Sequence, residues 1–147
     1  MEKEISVRIW EKMTKLYEIL RMQQNKSMYA MNLTGPQFSA LEVLYRENEN
    51  RIPLKKLSER LSVSGANITC VVDNLEKDGL VRRVPSKEDR RIIYAEITPK
   101  GKQKFEKVFP IHQKNVEKIV ESLNADEKEY LERLLDKLIA FKIENIE

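Results

Sequence analysis

The side chains best suited to chemistry in this chain lie between Ser64 and Arg91. Ser64, Asn67, Thr69 and Asn74 offer short hydrogen-bonding groups around two small residues, Gly65 and Ala66, and one thiol, Cys70. Beyond them comes PSKEDRR, where Lys87, Arg90 and Arg91 stand around Asp89. Groups of these types bind polyanions. Cations pair with phosphate oxygens, and Ser, Asn and Thr donate to and accept from polar edges. They do not assemble a hydrolytic or redox centre. His112 is the only histidine, and no neighbouring spacing makes it a triad member or a metal ligand. The four glycines stand singly, which excludes a glycine-rich phosphate cradle. The expectation is a non-enzyme with no catalytic residue, no metal and no cofactor.

Charge placement agrees. Residues 77–107 hold ten Lys and Arg against five acids, a net of +5 in a chain whose total is +3, so the remainder sums to −2. A basic region on a near-neutral chain implies a polyanion at one face. A single cysteine excludes an internal disulfide and fits a reducing cytoplasm. MEKEISVRIW has no uninterrupted apolar core of a signal peptide, and no apolar run approaches a membrane span. With 147 residues, 41% hydrophobic and 35% charged, the chain is expected to be one soluble, helix-rich domain, residues 1–147.

The elements that must position these groups are legible. Ser64 is a good N-cap, and Gly79 stands where a helix ends most easily in left-handed backbone. Between them Ile68, Val71, Val72 and Leu75 repeat at helical spacing as a buried stripe. Ala66, Cys70, Asp73 and Lys77 then face outward, flanked by Asn67, Thr69 and Asn74. A shorter helix precedes it, with Leu54, Leu57 and Leu61 apolar and Lys55, Lys56 and Arg60 outward. Leu80 to Val84 and Ile92 to Ile97 read as strands, the second with Ile93, Ala95 and Ile97 on one face. In extended chain Asp89 and Arg91 point the same way, so the carboxylate can hold the guanidinium. Helix, tight turn, helix (54–78) and a two-stranded basic wing (80–98) make a winged helix-turn-helix, a surface suited to duplex DNA. Small residues admit a helix to the major groove, and a fixed Arg on a hairpin tip fits a narrow minor groove. A winged helix that binds protein instead of DNA is the rival, expected to have a more apolar helix face and a less basic wing.

Long helices flank this unit. Residues 4–31 carry Ile5, Ile9, Met13, Leu16 and Leu20 as a stripe, widened by Trp10, Tyr17 and Ile19. Thr34 to Gln37 matches a capping box with Pro36 in the first turn, opening a helix to about Arg46 with Phe38, Leu41, Leu44 and Tyr45 inward. Glu47 to Arg51 reads as a polar loop, and Pro53 as the start of the next helix. Thr98 and Pro99 open another helix, which Pro110 is expected to bend or split. A break at 122–124 and an Asn124/Glu127 cap lead to a last helix to about Asn145, apolar on more than one side through Tyr130, Leu131, Leu134, Leu135, Leu138, Ile139, Phe141 and Ile143. The helices at 4–31 and 99–145 are expected to form a dimer interface.

In LTGPQFSALEVL (33–44), the helix-turn-helix, and GLVRRVPSKEDRRIIYAEITPKG (79–101), the sequence resembles the MarR family of transcriptional regulators. The most specific matches are D-x-R (Asp89, Arg91), T-P-x-G (Thr98 to Gly101) and V-D-N-L-E before Gly79. The resemblance implies a mainly α fold with a small β-hairpin wing, the winged helix-turn-helix (34–98) flanked by N- and C-terminal dimerisation helices. It implies a homodimeric repressor on a pseudo-palindromic operator in double-stranded DNA, released by a small aromatic or amphipathic organic effector. Ser64, Gly65, Ala66, Asn67, Thr69 and Cys70 would face the major groove. Lys77, Lys87 and Arg90 would hold phosphates, and Arg91, aimed by Asp89, would enter the minor groove. Trp10, Met13, Tyr17, Phe38, Phe105 and Phe109 would line an effector space, or else belong to the core. Cys70 has two readings: a small apolar group against a thymine methyl, or a thiol whose oxidation disturbs docking. Redox-sensing relatives typically place a cysteine near the N-terminus, where this chain has none.

Overall fold

The computed structural model describes residues 2–140. In order come α1 (Glu2–Tyr29), α2 (Gly35–Arg46), β1 (Arg51–Pro53), α3 (Leu54–Arg60), α4 (Gly65–Lys77), β2 (Val81–Pro85), β3 (Ile93–Ile97), α5 (Pro99–Ile119) and α6 (Ala125–Ile139). The chain divides after Ile111 into two compact units. The core belongs to the first. Met28, Phe38, Leu41, Leu44, Leu57, Val72, Leu75, Val81 and Val108 are fully buried there.

Three helices in this unit end alike. Leu33 N–H donates to the Met28 carbonyl, Val63 to Ser58 and Leu80 to Leu75, each closing a six-residue ring over a left-handed residue. Those residues are Asn32 (φ 54°), Ser62 (φ 51°) and Gly79 (φ 73°). In the first and third closures both flanking side chains, Met28 with Leu33 and Leu75 with Leu80, are buried. The middle closure is the turn between α3 and α4, and it uses a serine where glycine would be least strained.

The predicted capping boxes form. Thr34 Oγ1 accepts from Gln37 N–H at 3.3 Å while Gln37 Oε1 accepts from Thr34 N–H at 2.8 Å. Asn124 and Glu127 exchange the same pair of bonds at 3.0 and 2.9 Å.

Several expectations change. Residues 51–53 are a strand, not loop and helix start. β1 pairs with β3, so the sheet has three antiparallel strands in the order β1-β3-β2. Three residues ending in proline carry too little pattern to announce a strand. The first helix begins at Glu2 and ends at Tyr29, because the closure at Asn32 pulls Leu33 into the core. Ile93 is 39% exposed although it shares a strand face with buried Ala95 and Ile97, since it pairs with Pro85 where the hairpin leaves the body. Tyr45 is exposed, with its ring 4.6 Å from Phe105 and its hydroxyl donating to Glu106 at 2.9 Å. Pro110 lies inside α5, which continues through it as one helix and is not split there. In the second unit α6 ends at Ile139 and has no buried residue. The expected apolar positions Phe141 and Ile143 lie outside the described residues. Among the described residues no helix is long and apolar enough to cross a membrane.

The T-P-x-G segment has a physical explanation. Thr98 N–H donates to the Leu80 carbonyl at 3.0 Å, and its hydroxyl donates to the Gly79 carbonyl at 2.7 Å while accepting from Gly101 N–H at 3.0 Å. A Cβ on Gly101 would lie 2.1 Å from the Leu80 oxygen. Gly101→Ala is therefore expected to destabilise by about 3 kcal/mol, the upper end of ordinary overpacking. Gly65→Ala, with nothing within 4 Å of its added methyl, should change stability by less than about 1 kcal/mol. Urea midpoints of the two variants check the contrast.

Candidate nucleic-acid interface

The structure exposes one face of α4. Ser64 caps the helix, its Oγ accepting from Asn67 N–H at 3.2 Å. Ile68, Val72 and Leu75 are buried and Val71 is half-buried. Ser64, Gly65, Ala66, Asn67, Thr69, Cys70, Asp73, Asn74 and Lys77 are all exposed. The hydroxyl of Thr69 donates back to the Gly65 carbonyl at 2.9 Å. Asn74 Nδ2 donates to the Cys70 carbonyl at 3.0 Å and lies 3.7 Å from its Sγ.

The hairpin tip is built by two small acceptors. Ser86 Oγ accepts from the N–H groups of Glu88 and Asp89, at 3.2 and 3.3 Å. Ile92 N–H donates to the Asp89 carbonyl at 2.9 Å, so residues 89–92 form a tight turn rather than the extended chain expected. The turn brings Asp89 and Arg91 together more closely than extension would. Asp89 Oδ1 accepts from Arg91 N–H at 3.0 Å and Nε–H at 3.1 Å, and Oδ2 accepts from Nη2 at 3.1 Å. These bonds to the Arg91 side chain and backbone hold the Asp89 carboxyl below the usual carboxylate range. The Arg91 side chain is nevertheless 90% exposed, so its remaining donors point into solvent. Lys77, Lys87 and Arg90 are exposed and have no ion-pair partner among the described residues.

One contact escaped sequence reasoning. Arg83 on β2 reaches across to α4, where its guanidinium lies 2.7 Å from Asp73 and 2.7 Å from Glu76. Its backbone N–H donates to Glu76 as well, at 2.9 Å. Helix and wing are thereby tied at a guanidinium that is only 23% exposed. The signal was present in V-D-N-L-E followed by R-R, but spacing alone does not say which arginine turns back. Arg82, beside it, pairs instead with Glu96, its partner across the sheet. Lys100 donates to the Asp78 carbonyl at 2.7 Å, at the C-terminal end of α4.

The six aromatic and methionine positions at 10, 13, 17, 38, 105 and 109 do not converge within the first unit. Phe38 stacks on Phe105, with centroids 5.6 Å apart, Phe105 meets Phe109 at a tilt, with centroids 5.1 Å apart, and the first two are buried. Trp10, Met13 and Tyr17 stand exposed on α1.

Two helices joined by a tight turn, with a hairpin wing tied to the second, define a winged helix-turn-helix protein. The MarR family model matches residues 33–93. The chain is 28% identical over 135 residues to the HTH-type transcriptional regulator MhqR of Bacillus subtilis (strain 168), covering 92% of each. It is 30% identical over 122 residues to the HTH-type transcriptional regulator PrsX of Escherichia coli, covering 82% of this chain and 74% of that one. A crystal structure of a MarR mutant from E. coli complexed with operator DNA matches with a TM-score of 0.82 at 25% identity, over 90% of this chain and 94% of that one. The chain belongs to the MarR family.

The Arg83 clamp carries a pH signature. Bonds from the Arg83 backbone and side chain hold the Glu76 carboxyl below its ordinary value. A depressed folded-state pKa stabilises fully above the unfolded value and loses its effect as pH falls through the folded one. Glu76→Gln should therefore be less stable than the native chain at neutral pH, with the difference shrinking as pH falls from the ordinary glutamate value through the lowered folded one. Urea midpoints of both proteins across that range test the clamp.

Proposed function

We propose that this protein is a homodimeric transcriptional repressor that binds a pseudo-palindromic operator through α4 and the wing, and is released by a small aromatic or amphipathic ligand. The observation that carries the DNA part is the pairing of an exposed, small and polar face on α4 with an exposed Arg91 held in one orientation by Asp89. A fixed guanidinium at a hairpin tip suits the negative potential of a narrow minor groove. Lys77, Lys87 and Arg90 supply phosphate contacts, and the similar structure complexed with operator DNA supports DNA as the partner. Two copies place their α4 helices in successive major grooves, about 34 Å apart.

Dimerisation is supported by the apolar surface of the long helices. Ile5, Ile9, Trp10, Leu16 and Ile19 on α1 are each at least 46% exposed, and Leu134, Leu135, Leu138 and Ile139 on α6 are each at least 39% exposed. Apolar area on this scale belongs to an interface. An effector taken by the aromatic residues of α1 would act at that interface and so alter the spacing of the two α4 helices. The wing and helix face are too polar for the protein-binding rival, and no catalytic role is assigned to any residue.

Arg91→Ala is expected to weaken specific binding by about 1–3 kcal/mol, whereas Lys87→Ala should lower the salt dependence by about one phosphate contact. Equilibrium binding to an operator duplex at several salt concentrations separates the two, and wild-type values for both variants would remove these assignments. Trp10, the single tryptophan, is 68% exposed in the protomer. Its emission should shift to the blue as concentration rises through dimer formation, and a spectrum independent of concentration in a monomeric sample would count against α1 as the interface.

A further inference from the structure

Each base pair shows the major groove a different set of groups. Guanine offers two acceptors, met most often by Arg or Lys, and cytosine an amino donor, met by Asp or Glu. Adenine offers an adjacent acceptor and donor, matched by Asn or Gln, and thymine adds a methyl. The hydrogen bonds within α4 decide which of these it has groups left to meet.

The helix carries no Lys or Arg before Lys77, in its last turn. Helix-turn-helix docking puts the N-terminal residues of the second helix on base edges, so guanine finds no cationic partner there. Both carboxylates of α4, Asp73 and Glu76, are engaged by Arg83 at 2.7 Å. Cytosine therefore meets no carboxylate that is not already paired with a guanidinium. Thr69 has spent its hydroxyl proton on the Gly65 carbonyl, and Asn74 is held by the Cys70 carbonyl. Asn67 differs. It is exposed in the first turn, its backbone N–H is used by the Ser64 cap, and its side-chain amide has no partner among the described residues. One free carbonyl beside one free amino group is the complement of adenine. Ala66 and Cys70, four residues apart on the same face and both exposed, offer small apolar surface next to it.

We infer that the major-groove readout of this protein is directed at A·T pairs, with Asn67 reading an adenine through N6 and N7 and with Ala66 and Cys70 against thymine methyls. The inference rests on the DNA-binding reading above and adds to it the class of base pair and the residue that determines specificity. Gly65, with open space where its Cβ would be, leaves room for the helix to approach closely enough for so short a side chain to reach. Guanine and cytosine are disfavoured by the lack of a free partner on α4. The Arg83 clamp thus shapes specificity by withholding Asp73 and Glu76 from the groove.

The test uses the full chain. A random duplex pool is enriched on the protein and sequenced, and the recovered half-site is resynthesised with 7-deazaadenine at each adenine in turn, or with uracil for each thymine. A·T pairs should be enriched opposite α4. One 7-deazaadenine should weaken binding about 10-fold, and loss of one thymine methyl about 3-fold. Asn67→Ala, exposed and compatible with the helix, should bind the normal and 7-deaza duplexes equally, about as tightly as the native chain binds the 7-deaza duplex. Enrichment of G·C pairs opposite α4, retention without enrichment, or an Asn67→Ala variant still sensitive to 7-deazaadenine would each overturn this inference and leave DNA binding standing. Retention of no duplex at low salt would overturn the DNA-binding reading and this inference together.

Discussion

The carbonyl of Leu80 is the point on which the rest of the first unit depends. It accepts the Thr98 N–H, and it lies where only a residue without a Cβ, Gly101, lets α5 begin. Four element ends meet there: the close of α4 at Gly79, the start of β2, the end of β3 and the first turn of α5. Thr98 binds both sides of the junction, donating to the Gly79 carbonyl and capping α5. Because the wing springs from this point and α4 ends at it, the angle between helix and wing is set by backbone geometry before any surface charge is considered. Arg83 then locks that angle from the outside, with two carboxylates of α4 on one guanidinium.

Local signals in the sequence were reliable where one residue type has one physical use. Ser64, Thr34 with Gln37, and Asn124 with Glu127 are caps because a short acceptor before an apolar repeat has little else to do. Gly79 marked a helix end for the same reason. Ser62 did the same work with no signal, since a serine in left-handed backbone is chosen by the packing around it and not by its own preference. β1 was invisible because its pairing with β3 is a long-range contact between short segments. The outward face of α4 followed directly from the buried stripe. The tip contact between Asp89 and Arg91 was anticipated on the wrong geometry: a turn makes it, with Ser86 supplying the second half of the scaffold.

Charge counting misleads in an instructive way. The ten cations of residues 77–107 suggest a uniformly basic surface. Arg82 is paired across the sheet, Arg83 ties wing to helix, and Lys100 sits on the carbonyl of Asp78. These three position the surface instead of forming it. Of the other seven, Lys102, Lys104 and Lys107 lie on α5, which leaves Lys77, Lys87, Arg90 and the outer donors of Arg91 on α4 and the wing for a polyanion. Sequence pattern registers sign and number, whereas function depends on which charges the fold has already neutralised.

That division gives the proposed interface two different physics on two elements. The wing is charged, and its phosphate contacts would be tolerant of DNA sequence, because an ion pair with phosphate depends little on which base lies beneath it. The exposed face of α4 carries two carboxylates on one guanidinium, which together leave one net negative charge, and its one lysine lies at the far end. Pairing with Arg83 lowers the repulsion that these carboxylates exert on a phosphate backbone, so the face can approach more closely than it would with both acids unpaired. Its selectivity then depends on the short reach and fixed donor–acceptor order of an amide, not on Coulomb attraction. Added salt weakens the phosphate contacts much more than it weakens a hydrogen bond to a base edge. In the proposed arrangement affinity would be carried chiefly by the wing and choice of sequence by the helix, with the Arg83 clamp tying the two elements together.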